Sequence, residues 1–158
     1  MVKSVGYFWK FGKILGLGVF FMKRILLLTA FAMLFNLLAA EVEPGLHEGQ
    51  KCLNGSEYTY DLFVPQAYKE EAERKFPAVF VSSPSGTPQG MLKGMRDWAE
   101  KEKVLLVSLN QSKNGLGEEI IDNIQKAVLA TVDQQVRLHP YMRFSIGASG
   151  AGMCSLQY

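Results

Sequence analysis

Three features of this 158-residue sequence predict an α/β fold with a mainly parallel sheet and flanking helices. Two short apolar runs bounded by breakers, PAVFVS at 77–82 and VLLVSL at 104–109, read as buried strands, the second apolar on both faces as a central parallel strand must be. Two segments of helical period, 91–101 and 118–132, alternate with them. Strands that alternate with helices are joined by crossovers, and crossovers make parallel pairs. An N-terminal apolar leader helix is expected to precede this domain.

The leader is marked by charge. Residues 1–40 hold five bases (Lys3, Lys10, Lys13, Lys23, Arg24) and no acid, which leaves twelve bases against fifteen acids in the remainder. The basic balance of the whole chain therefore belongs to the leader, and nothing in it points to nucleic acid. From Met22 the sequence reads MKRILLLTAFAMLFNLLAAEVEPG, a short positive region, an apolar run over 25–38, then Ala39 and Ala40 before a polar stretch. That pattern predicts a secretory signal cleaved after Ala40, although Leu38 stands where a small residue is preferred. The exported product would be periplasmic or secreted. The alternative is an uncleaved membrane anchor over 14–40, and 1–21 reads as a possible extension from a misassigned start. Export would place Cys52 and Cys154 in an oxidising compartment, where one disulfide or two buried thiols are open readings. No Cys/His cluster has metal-ligand spacing, so neither metal nor cofactor is expected.

The domain is then read in order. Residues 41–56, with Pro44, Gly45, Gly49 and Gly55, suggest an irregular lead-in. In EYTYDLFV (57–64), Tyr58, Tyr60, Leu62 and Val64 alternate with Glu57, Thr59, Asp61 and Phe63, which predicts a half-exposed strand near a sheet edge. QAYKEEAERK is polar enough for a solvated turn or short helix. The strand at 77–82 is followed by SPSGTPQG (83–90), a loop. The helix at 91–101 places Leu92, Met95, Trp98 and Ala99 on one face. The strand at 104–109 comes next. The helix at 118–132 carries an apolar stripe of Ile120, Ile121, Ile124, Ala127, Val128 and Val132, with Glu118, Glu119 and Asp122 favourably placed at its positive end. A last strand is expected over 143–146.

That strand runs into FSIGASGAGMCSLQY, and Ser149 stands at the turn. A nucleophile elbow needs a serine on a sharp strand-to-helix turn, with small residues two before and two after it, because strand and helix nearly touch there. Gly147 and Ala151 fill those positions, and Gly150 can offer its N–H to an oxyanion. Gly-Ala-Ser-Gly-Ala departs from the strict pattern only by its last alanine. Two rival readings are a plain glycine-rich turn and a dinucleotide-binding turn, since GASGAG is G-x-x-G-x-G. The second lacks an acidic residue about 20 positions on.

Through YDLFVP, FPAVFVSSPSGTP, WAEKEKVLLVSLN and VRLHPYMRFSIGASGAG, residues 57–158 resemble the N-terminal half of secreted α/β-hydrolases. The likeness is greatest to esterases of the polyhydroxybutyrate-depolymerase and feruloyl-esterase type, with dienelactone-hydrolase-like proteins as neighbours. The resemblance implies Ser149 as nucleophile, Gly150 as one oxyanion donor, and a second N–H from the loop after 77–82. Pro84 has no N–H, which leaves Ser85. It also implies a small-molecule or polymeric ester as substrate; the charge pattern gives no nucleic-acid partner, and membrane contact is expected only through the leader if it stays uncleaved.

In that fold the order is serine, acid, histidine. After Ser149 this sequence has neither an acid nor a histidine. His47 and His139 read as surface or turn residues, and Asp61, Asp97 and Asp133 as solvated or capping ones. The expectation is a truncated α/β-hydrolase fold: the N-terminal fragment of an exported serine carboxylic-ester hydrolase, inactive alone. A non-catalytic exported or membrane-anchored binding protein on a half scaffold is the alternative, and a nucleotide-binding oxidoreductase fragment the second.

Overall fold

The computed structural model describes residues 41–149. The leader, Gly150, Ala151 and Cys154 lie outside the described residues, so the expectations placed on them stay as stated. The described part is a mixed α/β domain with a five-stranded sheet and three helices. In chain order these are β1 (Gly45–Lys51), β2 (Thr59–Val64), α1 (Ala67–Glu70), β3 (Phe76–Ser82), α2 (Gln89–Glu102), β4 (Leu105–Ser108), α3 (Glu118–Gln135) and β5 (Leu138–Gly147).

The strands lie in the order β1-β2-β4-β3-β5. β2 is antiparallel to both β1 and β4, while β3 is parallel to β4 and to β5. Four strands thus point one way and β2 alone is reversed, which keeps the sheet mainly parallel.

Alternation along the strands divides the core. Tyr60, Leu62, Ala78, Phe80, Leu105 and Val107 face α3, packing on Ile124, Ala127, Val128 and Val132. Phe63, Val79, Val81 and Leu106 face the other way, onto Leu92 and Ala99 of α2. Each fully buried Leu, Val or Phe contributes roughly 1.5–3 kcal/mol relative to exposure. The loops follow local rules. α2 ends where Lys103 enters the left-handed region, φ 57, and its N–H reaches back to the carbonyls of Ala99 and Glu100.

Several sequence expectations are corrected. The lead-in is not wholly irregular, because residues 45–51 form β1. This strand flanks β2, which is second from the edge of the sheet. β2 is buried on both faces from Tyr60 to Val64, its second face lying under α2. The polar segment after it buries Ala67 and Tyr68. The Arg137 guanidinium lies 3.9 Å from the Tyr68 ring centroid and donates to the Glu71 carbonyl at 2.6 Å, which ties α1 to the start of β5. Trp98 is exposed, and so is Ile120; α3 instead turns Gln125 and Thr131 inward. Thr131 is satisfied there, because its hydroxyl donates to the Ala127 carbonyl and accepts from the Leu53 N–H. β5 is longer than 143–146. It begins at Leu138 beside Phe76 and resumes regular pairing only at Arg143 beside Ala78.

Candidate functional site

β5 delivers Ser149 to the carboxyl end of the sheet. Its parallel register with β3 runs to the pair Ser82–Gly147, and Gly147 is the last strand residue. Two residues further on, Ser149 has φ 54 and is exposed. Only two other non-glycine residues, Lys103 and Gln111, have positive φ among the described residues. A serine held in that region costs on the order of 1–2 kcal/mol.

The loop carrying Ser85 leaves the neighbouring strand at the same end. Pro84 follows Ser83, and the Gly86 N–H donates to the Ser83 carbonyl at 3.1 Å, closing a tight turn. Gly86 has φ +76, and a Cβ there would meet Lys113 Cβ at 3.3 Å, so this position favours glycine. A hydroxyl chain fixes the turn. Ser85 Oγ lies 2.7 Å from Thr87 Oγ1 and 3.2 Å from Ser83 Oγ, and the Thr87 N–H donates to Ser83 Oγ at 3.0 Å. The turn leans on the loop after β4. The Asn114 N–H donates to the Pro84 carbonyl, the Gln111 N–H donates to the Gly86 carbonyl, and Ser85 sits opposite Lys113. The Ser85 N–H donates to no backbone carbonyl among the described residues. The structure therefore attaches Ser85 and Ser149 to the carboxyl ends of adjacent parallel strands. Gly150 and Ala151 fall outside the described residues.

Neither histidine lies with Ser149. His139 sits at the opposite end of β5, where Nδ1 accepts from the N–H groups of Tyr141 and Met142 at 3.2 and 3.1 Å. His47 is on β1, with Nε2 2.7 Å from the Glu43 carbonyl. Asp133 pairs with Arg143 at 2.6 Å.

Asp61 departs from the sequence reading. It is not solvated but 2% exposed, on the β2 face covered by α2. Its Oδ1 accepts from the Gly49 N–H at 2.7 Å and from Asn110 Nδ2 at 3.3 Å, while Oδ2 has no hydrogen-bond partner among the described residues. Ser108 Oγ accepts from the Asp61 N–H and donates to Asn110 Oδ1, which also takes Gln89 Nε2. No sequence signal marks this network, because it depends on β1 and α2 closing over one residue of a strand. Cys52 is a buried free thiol beside Tyr60. Burial, then the neighbouring Cys52, push the Tyr60 phenol up to about 12, against a hydrogen bond to Gln135.

No group of His, Cys, Asp and Glu able to hold a metal ion occurs among the described residues. None of their helices is long and apolar enough to cross a membrane.

No family model matches the chain. No curated protein sequence matches it either. Among solved structures it is similar to a ferulic acid esterase, with a TM-score of 0.50 and 15% identity over 72% of this chain and 53% of that one. The likeness is one of fold, and this chain spans about half the length of that structure.

Proposed function

We propose that this chain is the N-terminal part of an exported serine carboxylic-ester hydrolase of α/β-hydrolase type. The observation that carries the reading is Ser149, exposed and at φ 54 just past the carboxyl end of a parallel strand. The fold likeness to a ferulic acid esterase supports it, and the leader at 22–40 supports export.

In the complete enzyme, Ser149 Oγ bonds to the ester carbonyl carbon as its proton passes to a histidine held by a carboxylate. The carbonyl electron pair moves onto oxygen, where the N–H groups of Gly150 and Ser85 receive the charge. Collapse breaks the bond to the alcohol, which takes the proton from the histidine. Water then cleaves the acyl-enzyme by the same route and frees the acid. The substrate is a small or polymeric carboxylic ester.

Within these 158 residues the base is missing. Both histidines are engaged elsewhere, and no acid or histidine follows Ser149. On this reading the 158 residues by themselves are expected to be inactive. Extending it through the reading frame that follows Tyr158, directly or after one frameshift, is expected to add an acid and then a histidine. The extended protein should hydrolyse p-nitrophenyl acetate in a manner abolished by Ser149→Ala. A following frame with no such residues, or hydrolysis indifferent to Ser149→Ala, would contradict the reading.

A further inference from the structure

Asn110 lies two residues past the end of β4 and is 7% exposed. A buried amide costs stability unless its groups are bonded, and this one is bonded at both ends. Oδ1 accepts from Ser108 Oγ at 2.8 Å and from Gln89 Nε2 at 3.1 Å. Nδ2 donates to Asp61 Oδ1 at 3.3 Å and to Thr59 Oγ1 at 3.5 Å. One side chain therefore joins β4, β2 and the first residue of α2. Asp61 is the fixed point beneath it: its own N–H donates to Ser108 Oγ at 2.6 Å, and its Oδ1 also accepts from the Gly49 N–H at 2.7 Å.

The next residue carries the link to the Ser85 turn. Gln111 stands at φ 68, an unusual backbone for a residue with a side chain. Its amide is committed to Thr59: Oε1 accepts from the Thr59 N–H at 3.1 Å, and Nε2 donates to Thr59 Oγ1 at 3.1 Å. In that conformation the Gln111 N–H donates to the Gly86 carbonyl at 3.2 Å, and the Asn114 N–H donates to the Pro84 carbonyl at 3.0 Å. The turn is thus gripped from two sides. The backbone of the loop after β4 holds Pro84 and Gly86, and the Asn110 side chain holds Gln89, where the turn passes into α2. Between these grips Ser85 is exposed, and its N–H donates to no backbone carbonyl among the described residues. A donor that stabilises an oxyanion must be aimed before the charge develops, so its turn has to be rigid.

We propose that Asn110 is a positioning residue for the oxyanion-binding turn. It touches no reacting atom; it acts through Ser85, by fixing where the Ser85 N–H points. This role presupposes the ester-hydrolase reading of Ser149 and names the residue that sets the second donor in it. A residue that served stability alone would differ in two respects: the turn would not loosen selectively when it is lost, and the rate of the chemical step would not follow.

The test has two arms. In the 158-residue chain, amide hydrogen exchange followed by NMR reads the turn without reference to catalysis. Asn110→Ala is expected to speed exchange of the Gly86, Thr87, Gln111 and Asn114 N–H groups about tenfold, the worth of the lost hydrogen bonds. Gln89→Ala cuts only the bond to α2, from a half-buried position, and should speed Gly86 and Thr87 about threefold. It also covers the case in which Asn110→Ala does not fold. Val132→Ala truncates the core and lowers global stability, yet should leave these four amides within about twofold of the parent, because they exchange by local opening. In the chain extended past Tyr158, Asn110→Ala should lower kcat for p-nitrophenyl acetate about tenfold to a hundredfold with KM within about twofold, since the donor is used only as charge develops. Val132→Ala should keep both constants. Turn amides that exchange as in the parent, equal loosening by Val132→Ala, or a loss confined to KM would overturn the role. An extended chain that hydrolyses no ester would overturn it as well, through the reading beneath it; selective loosening in the first arm then locates the failure in the hydrolase reading and not in the link from Asn110 to the turn.

Discussion

Ser149 is a side chain placed where glycine would be at ease. At φ 54, glycine escapes the steric penalty of about 1–2 kcal/mol but loses roughly 0.5–1 kcal/mol of unfolded-state entropy. Ser149→Gly should therefore match the parent or exceed its stability by up to about 1 kcal/mol in urea unfolding. Ser149→Val, whose branched Cβ tolerates that region least, should lose stability by more than 1 kcal/mol. A loss in the glycine variant would mean that the turn relaxes and carries no strain. Tyr60 makes a second prediction at this scale. Its phenol is held neutral up to about 12 against an ordinary 10.0. A group whose folded value is raised lends stability that is complete below 10 and fades as pH climbs toward 12. Tyr60→Phe should show a shallower alkaline fall in its urea midpoint between those values. An unchanged slope would show that Tyr60 ionises freely.

At the scale of elements, legibility follows from how local each cause is. β3 and β4 were readable because a strand buried on both faces is apolar along most of its length, as both are apart from Ser82 and Ser108. The phase of α3 was readable to within one residue position. Its stripe differs at Ile120, which is exposed, and at Thr131, which finds partners inside. β1 was not readable: GLHEGQK has two glycines at positive φ and a register shift between His47 and Gln50, and an edge strand needs no buried period. β2 was given one wet face because its alternation is real, yet β1 and α2 cover Asp61 and Phe63. The turn after β5 was expected from local features, a preceding strand and small residues around Ser149, and the structure places Ser149 at positive φ just past that strand. The Asp61 network was not, because it is made by three segments distant in sequence. β5 carries an element-scale prediction. Among the described residues it is hydrogen-bonded on one side only, and Tyr141, Met142, Phe144 and Ile146 are exposed, with Tyr141 at 90%. Unprotected apolar edges associate. Replacing Phe144 and Ile146 together by Lys should lower concentration-dependent light scattering without moving the thermal midpoint by more than a few degrees. Unchanged scattering would show that this edge is not where copies meet.

At the scale of the molecule, the sheet divides the chemistry. Four strands send their carboxyl ends one way, and both the Ser149 turn and the loop of Ser85 lie at that end. β2 reverses so that Thr59 meets Gln111 there. The described domain thus supplies a presented serine and a braced loop beside it, but no imidazole within reach. The direct measurement is labelling by a fluorophosphonate probe, with the modified residue mapped by peptide mass spectrometry. The account predicts that the 158-residue chain stays unlabelled, whereas the chain extended through the following reading frame is labelled at Ser149. Rapid labelling of the 158-residue chain, lost in Ser149→Ala, would contradict it, and so would an extended chain labelled at any serine other than Ser149.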